Sequence, residues 1–165
     1  MPLKHGVLRI ACLYLPNGNP PETEKYPYKL KWMSRLLEYS KQRLKAEEPL
    51  VLAGDFNVIP AAPDVHNPAA WVNDALFRPE SRAKYRELLH LGFGDAVRLC
   101  DDRPGLYTFW DYQAGSWQKD DGIRIDHLLL SPQAVDRLAG VAIHKHTRSW
   151  ERPSDHVPIL VDLIV

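Results

Sequence analysis

The chain has 165 residues, enough for one domain with a real core and short for two. Lys plus Arg and Asp plus Glu both number 21, so the net charge is zero. That excludes a polybasic, polyanion-binding tail, but a local basic patch balanced by acidic metal ligands would give the same sum. Cys12 and Cys100 are far apart and outside any metal-ligand spacing, which argues against a disulfide scaffold or a zinc site and for a reducing compartment. No apolar run reaches the roughly eighteen residues of a membrane span. The start "MPLKHGVLRI" lacks the long apolar core of a signal peptide, so a cytoplasmic protein is the default expectation.

"VLRIACLYL" (7–15) is apolar on both faces and predicts a buried strand, ended by the turn-rich "PNGNPP". "YKLKWMSRLLEYSKQRLKAEE" (28–48) predicts a helix with Leu30, Met33, Leu36, Leu37 and Leu44 on one face. Lys29, Lys31, Arg35 and Lys41 are then expected on its solvated face. Pro49 stops the helix, and "LVLAG" (50–54) is a short apolar strand. Strand, helix, strand is an α/β signature. A proline-rich loop (55–71) leads to a second helix over 80–91 behind Pro79. Segments 106–112, 123–131, 140–146 and 157–165 read as strands, and 132–138 as a short helix with Pro132 near its start. No repeat, low-complexity segment or linker divides the chain, so 1–165 reads as a single α/β domain with a mixed sheet flanked by helices.

Three places carry candidate chemistry. In "LVLAGDFNVIP", Asp55 and Asn57 follow a buried strand at its carboxyl end, where α/β proteins collect functional groups. Positions i and i+2 of an extended segment point the same way, so the pair could share a pocket and suit a hard cation or a water. The alternative is a turn that Asn57 caps. In "RIDHLLLS", Asp126 interrupts an apolar strand, which is costly unless the carboxylate is solvated or paired, for example with a distant histidine; His127 points to the other face. In "RPSDHVPILVDLIV", Ser154 and Asp155 could simply cap a turn before the last strand. The other six histidines, His66, His90, His144 and His146 among them, read as loop or surface residues. Together the three places hold carboxylates, an amide and a histidine, the inventory of metal-assisted phosphate-ester hydrolysis.

"LYLPNGNP", "LVLAGDFNVIP", "YTFWDY", "GIRIDHLLLS" and "RPSDHVP" occur in that order. The series resembles the exonuclease III group of the endonuclease/exonuclease/phosphatase superfamily, from about Val7 to the C-terminus. The resemblance implies a DNase-like four-layered α/β sandwich and a Mg²⁺- or Mn²⁺-dependent enzyme that cuts DNA beside abasic sites and trims 3′ ends. It implies that Tyr14 contacts the scissile phosphate and that Asp55 orients and deprotonates the attacking water. Asn57 would hold that water, and His156 would bond a phosphate oxygen with Asp126 as its orienting partner. Asp155, with Asp55 and Asn57, would lie at the metal. Asn17 would contact substrate, and Phe109 and Trp110 would line the pocket for an abasic sugar, although Trp110 could equally be plain core.

Members of that group carry another α/β half ahead of the "YLPNG" strand, with an early asparagine and the glutamate that is the main metal ligand. No "NxNG" or "QETK"-like stretch occurs in this sequence. The expectation is therefore the C-terminal half of such an enzyme, with a sheet face open to self-association and little or no activity by itself. A non-catalytic DNA-binding half-domain and a phosphatase for small phosphate esters are the alternative readings.

Overall fold

The fold is seen in a computed structural model that describes residues 2–3 and 6–164. In chain order it holds β1 (Pro2–Leu3), β2 (Gly6–Val7), β3 (Arg9–Tyr14), α1 (Lys25–Leu44), β4 (Leu50–Asp55), α2 (Pro68–Trp71), α3 (Pro79–His90), β5 (Gly94–Asp95), α4 (Ala96–Cys100), α5 (Ser116–Lys119), β6 (Asp126–Leu130), α6 (Pro132–Val135), β7 (Leu138–Ile143) and β8 (Ile159–Leu163). The expected last strand thus ends earlier than 165; Val165 itself lies outside the described residues.

Four strands form one mixed sheet in the order β3-β4-β6-β5. β3 and β4 are parallel, joined by the α1 crossover that parallel neighbours require; the other pairs are antiparallel. Alternation along each strand sends residues to two faces. Leu50 and Leu52 of β4 and Leu129 of β6 join Met33 and Leu36 of α1 and Tyr85 and Leu88 of α3 in one core. On the opposite face, Val51, Leu128 and Leu130 pack with Ala96, Ala134 and the β7–β8 hairpin residues Val141, Ile159 and Val161.

β3 is not buried on both faces as its composition suggests. It lies at the sheet edge, and Ile10, Cys12 and Tyr14 on one face are exposed, Ile10 by 63%. The strand expected over 106–112 is also absent as a ladder. Phe109 alone makes isolated bridges, to Ile123 on one side and His156 on the other. Apolar-aromatic content made the segment look like a strand, but it threads between two neighbours with one residue paired to each. No described helix is long and apolar enough to cross a membrane.

Candidate active site

The site begins with how closely β3 and β4 approach. Gly54 has φ +139°, and a Cβ there would stand 1.9 Å from the Leu13 carbonyl oxygen, so only glycine fits. The register pairs Tyr14 with Asp55 across the parallel ladder and Asp55 with Asp126 across the antiparallel one. Residues directly opposite on neighbouring strands share a face. Tyr14, Asp55 and Asp126 therefore stand in a row across three strands at one end of the sheet, with Tyr14 73% exposed.

Just beyond β4 the chain turns at Asn57, whose φ of +48° is the left-handed conformation that asparagine tolerates. The Asn57 N–H donates to Asp55 Oδ1 (2.7 Å), and its Nδ2 donates to Asp55 Oδ2 (3.0 Å) and to the Leu15 carbonyl (2.8 Å). Its Oδ1 accepts from Asn17 Nδ2 (3.1 Å). Asn57 thus acts first as the clamp that aims Asp55, with one oxygen lone pair left over. Lys29 completes this corner and corrects the expectation of a solvated lysine. It is fully buried, and its ammonium donates to the carbonyls of Asn57 (2.6 Å), Asn17 (2.9 Å) and Ala75 (3.2 Å). Three loops that meet at the site are tied through one side chain that sequence reading missed.

Asp126 has the partner its apolar strand called for. Its Oδ2 accepts from His156 Nδ1 at 2.8 Å and from the Thr108 hydroxyl at 2.7 Å. Thr108, also missed from sequence, is buried and its oxygen accepts the N–H groups of Ile125 and Asp126 (both 3.2 Å). The segment holding His156 is fixed to the same scaffold: Trp110 N–H donates to the Asp155 carbonyl and Val157 N–H to the Thr108 carbonyl, both at 2.9 Å. The turn reading of Ser154 holds as well, because its hydroxyl accepts from the His156 N–H at 3.1 Å. Turn and functional group are the same piece of chain.

The electrostatics follow from that proximity. Burial, and next the neighbouring Asp126 charge, push Asp55 up to about 6, against the Asn57 N–H and the positive charges of His156 and Lys29. Burial works against a charged His156, but the hydrogen bond and charge of Asp126, with Asp55 and Asp155 behind, outweigh it and raise the ring's pKa. Burial brings Lys29 down to about 7, although Asp74 and Asp55 favour its charge.

Of the two aromatics, Phe109 stands at the site. Its ring meets the His156 ring edge-on at 5.0 Å and lines a cavity of about 300 Å³ together with His66, Trp71, Asp121 and Ile123. Trp110 does not: it is fully buried, in T-shaped contact with the rings of Tyr107 and Trp117 and with its indole N–H donating to Asp120 (2.9 Å). Asn17 is exposed beside the Asn57 amide.

The residues suit a hard divalent cation that keeps much of its water. Among the described residues no group of three or more His, Cys, Asp or Glu side chains gathers to hold a metal. Mg²⁺ characteristically takes one or two carboxylates, water and substrate phosphate instead. Asp55 and Asp155 both lie near enough to act on His156, and the disfavoured charge of Asp55 is the kind a neighbouring cation relieves.

Residues 2–156 match the Endonuclease/Exonuclease/phosphatase family. The chain is 31% identical over 162 residues to exodeoxyribonuclease III of Haemophilus influenzae, covering 93% of this chain and 61% of that protein. It is 36% identical over 150 residues to recombination repair protein 1 of Drosophila melanogaster, covering 90% of this chain and 21% of that one. Among solved structures, a Neisseria 3′ phosphatase bound to a product DNA hairpin superposes with a TM-score of 0.92 at 33% identity, covering 96% of this chain and 62% of that one. An AP endonuclease from Archaeoglobus fulgidus superposes at 0.88 with 34% identity, covering 94% and 61%. The chain spans less than two thirds of the length of each.

Proposed function

Because the chain belongs to the endonuclease/exonuclease/phosphatase family, we propose that its site takes part in Mg²⁺-dependent hydrolysis of DNA phosphoesters, beside abasic sites and at 3′ ends. The observation that carries this reading is the His156–Asp126 pair at 2.8 Å, standing in the same row as Asp55. The names of similar proteins, an exodeoxyribonuclease III, an AP endonuclease and a 3′ phosphatase, support DNA as the substrate.

In this reading Asp55 takes the proton of the attacking water. Asn57 holds both Asp55 oxygens in place. His156, charged through its bond to Asp126, presents its other ring N–H to a phosphate oxygen and stabilises the charge that builds there in the transition state. Thr108 and Asp126 fix the ring's orientation. Tyr14 and Asn17 contact the phosphate and its neighbouring sugar, and the Phe109 cavity takes the abasic sugar. A divalent cation, held by Asp55 and Asp155, would neutralise phosphate charge when bound.

Binding and cleavage of a duplex with one abasic site test the proposal, with and without Mg²⁺. Affinity is expected to weaken as salt rises; with the group's glutamate absent from this sequence, cleavage is expected to be weak at most, to require Mg²⁺ and to disappear in His156→Ala. Cleavage that survives His156→Ala, or hydrolysis confined to small phosphomonoesters, overturns it.

A further inference from the structure

The two rings of the Phe109–His156 pair, 5.0 Å apart, line different cavities. One is the Phe109 cavity described above. The other, about 400 Å³, has His156 in its wall together with Trp150, Arg152, Pro153 and Pro158. A phosphodiester joins two nucleosides, so a phosphate bonded to His156 has one on each side. Resting on the phosphoester reading above, we infer that the second cavity is a nucleobase subsite, in which Trp150 stacks on the base across the scissile phosphate from the Phe109 cavity.

Three features suit that occupant. Trp150 is 62% exposed, unusual for the side chain with the largest aromatic surface, and its ring meets His146 edge-on (5.9 Å), which in turn lies against the tilted ring of His144 (5.4 Å). An aromatic held in place beforehand loses little freedom when a base stacks on it. The prolines on either side stiffen the walls, and Arg152, at a left-handed φ of +51°, sets the turn that leads from Trp150 to Ser154. A strained non-glycine residue here is worth its cost where a loop's shape matters. The cavity also carries an arginine and no carboxylate among its lining residues, which suits the sugar-phosphate backbone attached to the base.

The test measures binding of an abasic-site duplex to the unsubstituted chain and to Trp150→Ala, Trp150→Phe and Phe109→Ala. Duplexes carrying 5-iodouracil beside the abasic site are photocrosslinked in parallel. The expected result is an affinity loss of about tenfold in Trp150→Ala, largely restored in Trp150→Phe, and a crosslink mapping to Trp150. If Phe109→Ala weakens binding but Trp150→Ala does not, and no crosslink forms at Trp150, the subsite is wrong while the phosphoester reading stands. If the unsubstituted chain binds no DNA, both fall.

Discussion

Asp55 is a carboxylate that the fold accommodates poorly. Folding raises its pKa from 3.8 to about 6, through burial and the adjacent Asp126. The folded state therefore holds this proton more tightly than the unfolded chain does. The ionised form opposes folding fully above about 6, and the penalty is gone below 3.8. Asp55→Asn removes the charge but sets two amide nitrogens facing each other where Asp55 Oδ2 now accepts from Asn57. The expected net result is a gain of about 1–2 kcal/mol near pH 7.5 and none near pH 4, with turnover lost. Denaturant unfolding at the two pH values checks it, and equal gains at both would remove charge as the cause. Lys29 teaches a different lesson at this scale. Its place on an amphipathic helix predicted solvent, but the carbonyls it binds belong to residues 17, 57 and 75. Nothing in the helix's own pattern encodes loops that only the fold brings over it.

At the scale of elements, the legible parts were those with local periodicity. The apolar stripe of α1 and the short apolar β4 lie where the pattern places them, and "GDFN" sits at a strand's carboxyl end because Gly54 is the residue that permits the approach to β3. The row Tyr14–Asp55–Asp126 was less legible, since it depends on the register of three strands. Least legible was the 106–112 segment, whose content matched a strand while its job is to brace two others. Thr108 does that bracing by accepting two backbone N–H groups and donating to Asp126. Thr108→Val leaves both N–H groups without a partner and should cost about 2–4 kcal/mol, whereas Thr108→Ser should cost under about 1 kcal/mol. The valine variant should also let Asp126 swing, so that the His156 titration followed by NMR falls toward 6.5. A Val variant as stable as Ser would show that the hydroxyl is not what holds the segment.

Across the whole molecule, a buried polar network stands behind the site. Arg124 donates to Asp64 (2.7 Å) and Asp95 (2.8 Å), Tyr85 donates to Asp95 (2.9 Å), and Arg124 Nη1 meets His127 Nδ1 at 3.1 Å. His127, expected at the surface, is fully buried, with Nε2 donating to the Val58 carbonyl at 2.9 Å. Its ring accepts from an arginine on one side and so must stay neutral. Burial first, and then the Arg124 charge, bring its pKa down from 6.5 to about 4. A histidine that cannot take its proton when folded contributes stability fully above 6.5, and that contribution fades as pH falls toward about 4. Asp55 acts with the opposite sign in nearly the same window, its penalty fading as pH falls from about 6 toward 3.8. Asp64 and Asp95, both held below 3.8 against burial by Arg124, add an acid loss only beneath that value. The two middle effects should offset, leaving a shallow dependence of stability on pH between about 6 and 4. Separating them gives the prediction. His127→Gln, which keeps a donor for Val58 without titrating, should make the protein gain stability on acidification through that window. Asp55→Asn should make it lose stability there, and the double substitution should return a nearly flat profile. Chemical denaturation at half-unit pH steps reads all three slopes. A profile for His127→Gln identical to that of the unsubstituted chain would mean that the ring already carries its proton in the folded state.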